Sequence, residues 1–192
     1  MKTLLQHLRI SLIATAALTV LLCAVYPLVV WGVSQALFSD RANGSLLTRK
    51  GVVVGSSLIG QNFTGPGYFH SRPSAAGNGY DGAASSGTNL GPLSQKLLDA
   101  VKDRVAAYRS ENSLSEDVLV PADAVTASAS GLDPHISPRN AELQVARVAA
   151  ARGLSEEKVR QLVKEHTEGP DWGVFGDPRI NVLMLNLALD TR

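Results

Sequence analysis

Between Ile10 and Ser39 the chain carries no Asp, Glu, Lys, Arg or His, and Arg9 and Asp40 close that run at its two ends. A bilayer core of about 30 Å takes roughly 20 apolar residues as a helix, so the run can span it with residues to spare. Leu, Ile, Val and Ala dominate, and the few small polar residues can be satisfied within a helix. The expected span is Ile10 to Val30, with Trp31 at the interface and Val33 to Phe38 continuing the helix outward. A cleaved signal would have an apolar core of about 7–15 residues ending at a small-x-small site. This run is longer, ends in Ser-Gln-Ala-Leu-Phe, and has Leu22 where a lipoprotein signal would need a small residue before Cys23. The segment therefore reads as a retained anchor.

Orientation does not follow from local charge. Lys2 and Arg9 precede the span, while Arg41, Arg49 and Lys50 follow it. A short N-terminal tail normally stays inside, and a long domain translocates largely regardless of charge. The expected organisation is a cytoplasmic tail at 1–9, a transmembrane helix with its extension at 10–38, and an extracytoplasmic domain at 39–192. Without Lys2 and Arg9, 16 of the 18 basic residues remain against 17 acidic ones. A near-neutral domain argues against nucleic acid as a partner. The lone cysteine, Cys23, lies in the span, which leaves no disulfide framework and no thiolate metal site in the domain.

The domain reads as mixed α/β, in the α+β sense. Val52 to Val54 and Ser57 to Ile59 suggest a strand pair around Gly55. Residues 65–91 are rich in Gly, Ser, Ala, Asn and Pro, and the embedded Tyr68, Phe69, His70, Tyr80 and Asp81 suggest an ordered loop. Leu93, Leu97, Val101, Val105 and Tyr108 form an i, i+4 ladder behind Gly91 and Pro92, the pattern of an amphipathic helix. Val125 to Ser128 looks strand-like. Ser137-Pro138 opens a helix that Gly153 stops near Arg152, and Ser155 opens another with the stripe Val159, Leu162, Val163 and His166. Leu183, Leu185, Leu187 and Leu189 alternate, so Ile180 to Asp190 reads as a strand, although Asp177-Pro178 would suit a helix start.

Motifs for chemistry are sparse. Gly77-x-Gly79-x-x-Gly82 matches a dinucleotide fingerprint in letters but lacks the strand before it and the helix directly after it, so a glycine-rich turn is the simpler reading. His70, Asp81, Asp133, His135 and His166 show no metal-ligand spacing. Asp133-Pro134-His135 reads as a turn whose side chains bond the backbone, and His166 as a packed histidine at a helix end. No serine sits in Gly-x-Ser-x-Gly. In the anchor, Ser11, Thr15, Thr19 and Cys23 recur every four residues, a small-residue stripe suited either to a partner helix or to bonding back onto the helix's own carbonyls. Pro27 removes one ladder bond and should kink the helix.

Several segments together resemble the C subunit of the bacterial Kdp potassium-transporting ATPase. They are the stretches from Tyr68 to Ser74, from Thr88 to Pro92, from Val125 to Ser137 and from Pro178 to Asp190, together with the anchor and the chain length. The resemblance implies a non-catalytic accessory subunit of a high-affinity, ATP-driven potassium import complex in the bacterial inner membrane. Its partners would be a channel-like potassium-translocating subunit and a P-type ATP-hydrolysing subunit. It also implies a chaperone that raises the pump subunit's ATP affinity, with no firmly bound cofactor and ATP met only in a transient complex. An extracytoplasmic domain would meet little ATP, so stabilising assembly and covering the potassium entrance is the preferred role. Tyr68, His70, Arg72, Asn89, Asp133 and His135 form the candidate constellation, serving either partner contact or the loop's own stability. The alternatives from other classes are a membrane-anchored solute-binding module and a hydrolase using His70 or His135.

Overall fold

The computed structural model describes residues 2–191, and the chain divides into two compact units, one ending at Leu46 and the other beginning at Leu47. The first is a long helix: α1 (Lys2–Val20), a five-residue π-helical turn (Leu21–Val25) and α2 (Tyr26–Ala42). The helix from Thr3 to Ala42, which holds the uncharged run, has 40 residues. At 1.5 Å per residue that is about 60 Å, twice the thickness of a hydrocarbon core. The expected effect of Pro27 takes a specific form. The Tyr26 N–H reaches back five residues to the Leu21 carbonyl, widening the turn where Pro27 has no donor and its ring crowds the carbonyl four residues before it. A second break lies at Phe38, whose φ of −139° and ψ of 40° leave the helical region. Asn43 then caps the end, its Nδ2 donating to the Ser39 carbonyl at 2.7 Å.

The second unit opens on a hairpin of β1 (Leu46–Arg49) and β2 (Val52–Ser56). The turn is Lys50-Gly51, with φ of 50° and 79°, the double left-handed backbone of a two-residue hairpin. The expected pair around Gly55 is thereby corrected: this turn draws Leu46–Arg49 into the ladder, and residues 57–59 form a turn in which the Leu58 N–H donates to Ser56 Oγ. Among the described residues, those from Ser57 to Ser94 form neither helix nor strand.

Helix α3 (Gln95–Glu111) starts later than the leucine ladder suggested. Ser94 is its N-cap, Gly91 and Pro92 belong to a preceding turn, and Leu93 is 94% exposed. The strand-like residues near Val125 instead end a short helix, α4 (Ala122–Val125), closed by Thr126 bonding back to the Ala122 carbonyl through both N–H and hydroxyl. A three-stranded antiparallel sheet of β3 (His135–Ile136), β4 (Thr167–Glu168) and β5 (Arg179–Asn181) has the order β3-β5-β4. Its register pairs Ile136 and Thr167 with Ile180 from either side.

Helices α5 (Pro138–Arg152) and α6 (Glu156–Glu165) follow their sequence signals. The Ser137 and Ser155 side chains accept from the N–H groups of Asn140 and Lys158, and Gly153 ends α5 at φ 64°, a conformation that favours glycine. The strand expected over 180–190 is overturned beyond its first residues. Asn181 caps α7 (Val182–Leu189) by accepting from the Met184 N–H at 3.2 Å. This helix buries Val182, Leu183, Leu185, Asn186 and Leu189, so it is apolar on most sides and shows no 3.6-residue pattern. The core joins Val145, Val148, Val159, Leu162, Ile180, Leu185 and Leu189 to Phe69 of the loop, which is fully buried.

Asn181 also donates to the Ser57 carbonyl at 2.8 Å. Replacing Asn181 with Ala should therefore cost about 0.5–2 kcal/mol, the range of a lost N-cap, measured by denaturant unfolding of the detergent-solubilised chain.

Candidate functional site

Phe69 and His70 run through the interior without a strand beside them, so their peptide groups need other partners. Two side-chain amides supply them. Asn186 of α7 accepts from the Phe69 N–H at 2.8 Å and donates to its carbonyl at 2.9 Å. Gln144 of α5 accepts from the His70 N–H at 2.7 Å and donates to its carbonyl at 3.3 Å. Each amide presents one donor and one acceptor, the same pair a neighbouring strand would offer.

A shell of arginines braces this segment. Arg147 donates to the carbonyls of Pro66 and Tyr68, to Asn112 and to Gln144, over distances of 2.7–3.0 Å. Burial lowers its pKa, and Glu111 and Tyr108 act in the opposite sense. Tyr68 packs under Arg152, whose guanidinium carbon lies 4.6 Å above the ring, a cation–π geometry. Asp190 gathers Arg49 and Arg152 at 2.8 Å each and the Tyr68 hydroxyl at 3.4 Å. Burial alone would raise its pKa, but those three donors hold it below the ordinary carboxylate value.

Further along, the His70 ring lies between the Glu111 carboxylate and the Gly65 carbonyl, 3.0 Å from each. Arg72 bonds Asp133 at 2.8 Å, while among the described residues its buried Nε has no hydrogen-bond partner. The Tyr80 hydroxyl donates to the Arg72 carbonyl, and burial raises its pKa. Asp133 also accepts from the His135 N–H at 3.0 Å and faces the His135 ring at 3.4 Å. Burial opposes its ionisation, but bonds from the side chain and backbone of His135 and from Arg72 prevail and hold its pKa at about 2. The turn is seated by Gly131, at φ 68°, where an added Cβ would come within 2.6 Å of both the Ala76 nitrogen and the Ser86 carbonyl oxygen.

The candidate constellation thus divides. Tyr68 and His70 belong to the amide and arginine network, whereas Arg72, Asp133 and His135 form a separate ionic cluster. Asn89 joins neither: it is exposed at φ 52°, and among the described residues nothing bonds its side chain. An open cleft of about 320 Å³ is lined in part by His70, Arg72, Tyr80, Arg104 and Glu111. Among the described residues, neither His70 nor His135 bonds a hydroxyl or thiol, and no three His, Cys, Asp or Glu converge as a metal site.

The sequence reading did not single out Gln144, Arg147, Asn186 and Asp190. A signal was present in α5, where Asn140 and Gln144 interrupt an otherwise apolar buried face. Asn140 is held in turn by Tyr108 and Asp123, at 2.8 and 2.9 Å. On the membrane helix, Ser11, Thr15, Thr19 and Cys23 are all exposed. Four residues of an α-helix overshoot a full turn by about 40°. The π-helical turn reduces that overshoot between Thr19 and Cys23.

A model of the family described as KdpC, K+-transporting ATPase c chain, matches residues 8–191. The chain is similar to the potassium-transporting ATPase KdpC subunit of Koribacter versatilis, with 56% identity over 185 residues, covering 96% of this chain and 94% of the relative. The corresponding subunit of Nitratidesulfovibrio vulgaris is 57% identical over 188 residues, covering 97% and 95%. That of Mycobacterium tuberculosis is 59% identical over 172 residues, covering 90% and 91%.

Two predictions concern this network. Asn186→Leu keeps the branched shape but strands the buried Phe69 N–H and carbonyl, at about 1–3 kcal/mol for each unsatisfied group; denaturant unfolding should show a loss of roughly 3 kcal/mol. Asp133 has a depressed folded pKa, so its contribution is complete above the ordinary value of 3.8 and is lost as pH falls towards about 2. Asp133→Asn should flatten the pH dependence of stability between those two values, removing about 2 kcal/mol of acid sensitivity.

Proposed function

This chain belongs to the KdpC family, the c chain of K+-transporting ATPases, and from that premise we propose how its helix and domain share the work. It is an accessory subunit of a potassium import complex rather than the catalytic one. Consistent with that division, the sequence contains neither an Asp-Lys-Thr-Gly phosphorylation motif nor a Thr-Val-Gly-Tyr-Gly filter, and one helix cannot enclose a pore.

In our reading the helix crosses the bacterial inner membrane with its N-terminus in the cytoplasm and carries the domain outside. There it packs with a channel-like potassium-translocating subunit and a P-type ATP-hydrolysing subunit. The Thr3–Ala42 helix carries this reading: it is long and apolar enough to span, and none of its most apolar window is buried within the chain. The stripe of Ser11, Thr15, Thr19 and Cys23 gives a partner helix a face for close approach.

The domain stabilises the assembly and covers the potassium entrance. Its candidate polar residues fit a structural task, because Tyr68, His70, Arg72, Asp133 and His135 are all engaged in bonds within the domain. An effect on ATP affinity would be exerted through the pump subunit. From outside the membrane it travels as a bias between pump states, which requires different contacts with the helix in each state. Coupling of this kind is typically about 1–3 kcal/mol, a change of roughly 5- to 150-fold in affinity.

Topology and assembly can be tested in one strain. With Cys23 replaced by Ala and exposed Glu116 replaced by Cys, a membrane-impermeant maleimide should label the chain in spheroplasts without lysis, and the chain should co-purify with the other two subunits. Labelling that requires lysis would place the domain inside and overturn the cap; a chain that purifies alone would overturn the subunit roles.

A further inference from the structure

The hairpin joining β4 to β5 ends in a tip, residues 169–178, that holds Trp172, Val174 and Phe175 in solvent at 92%, 77% and 63% exposure. Its backbone is extensively bonded. Asp171 and Phe175 exchange N–H to carbonyl bonds at 2.8 and 3.0 Å, and the Gly173 N–H donates to the Pro170 carbonyl at 2.9 Å. Arg179 ties the base together, lying 3.2 Å from Asp171 and 3.3 Å from Glu168. Trp172 adopts φ 53° between these bonds, a left-handed backbone that is unfavourable for any residue carrying a Cβ. Its ring meets that of Phe175 edge to face, with centroids 6.1 Å apart.

The strained backbone therefore displays apolar side chains rather than hiding them. Rigid aromatic groups make effective anchors because little freedom remains to be lost on binding. Charge discriminates between two kinds of partner. From Thr167 to Arg179 the acidic residues are Glu168, Asp171 and Asp177, and the single base is Arg179. An acidic surround is repelled by anionic headgroups, which attract basic segments, and it complements a basic protein surface. We infer that this tip docks into an apolar pocket with a basic rim on another subunit of the same transport complex. The inference rests on the accessory-subunit reading above and adds the surface that makes the contact.

The chain has two tryptophans, so Trp31→Phe leaves Trp172 as its sole indole, and incorporating 5-hydroxytryptophan into this chain before assembly allows Trp172 to be excited apart from the tryptophans of other subunits. That full-length chain is compared alone in nanodiscs containing brominated lipid and within the purified complex. Acrylamide quenching of Trp172 should fall at least about threefold on assembly, and brominated lipid should leave the isolated chain's emission unchanged. A Trp172→Ser, Phe175→Ser double variant should recover the other subunits at least about tenfold less well, with unaltered thermal unfolding because these side chains are largely exposed. Asp177→Lys should also weaken recovery, most strongly at low salt. Quenching by brominated lipid would assign the tip to the bilayer and overturn the inference. Equal acrylamide quenching in both states would overturn it while leaving the accessory-subunit reading intact. A wild-type chain that fails to co-purify with any subunit would overturn both.

Discussion

The second unit depends on the pairing of two side-chain amides with the peptide groups of Phe69 and His70. An irregular segment normally stays at the surface because its buried peptide groups would lack partners. Here Phe69 is drawn fully into the core, and Asn186 and Gln144 take the place of the absent strands. Because the two amides come from α7 and α5, satisfying the loop also fixes both helices against it. Gln144 then carries the constraint outward to Asn140 and Arg147. A low local dielectric strengthens such a network when every member is satisfied and penalises it when one is missing.

The charges around this interior fit the same arrangement. Asp190 follows α7 directly, where the exposed carbonyls of a helix end disfavour an anion. Arg49 and Arg152 meet that carboxylate from either side, and Tyr68 completes its shell. Arg152 also donates to the Gly67 carbonyl and covers the Tyr68 ring. One cation thus serves a loop peptide, an aromatic face and the end of a helix, so its removal would be felt through packing as well as charge.

Elements governed by local rules were legible in the sequence. The membrane helix followed from its uncharged run, and α5 and α6 from a serine cap and an apolar face, with a terminal glycine on α5. Elements governed by tertiary context were less so. The C-terminal leucines alternate, yet α7 is buried on most sides, which removes the polar face that identifies a helix. Leu93 suited an i, i+4 ladder, but the cap at Ser94 excluded it. The Asp133 turn with His135 was visible because Asx turns are local. The pairing of Phe69 with Asn186 spans 117 positions and left no periodic trace. Grouping six candidate residues as one constellation merged two clusters and included Asn89, which belongs to neither.

Those long separations bear on how the chain is made. Phe69 and Arg49 meet partners 117 and 141 residues further on. At a synthesis rate of about 5–20 residues per second, the loop emerges roughly 6–25 s before α7 exists to receive it. Native contacts of this span are slow to form because a large loop must close first. During that interval the Phe69 peptide groups have only water or non-native partners. A ribosome stalled before Asn186 leaves a chain with its anchor complete and its domain unable to close, a natural substrate for holding chaperones and surveillance proteases.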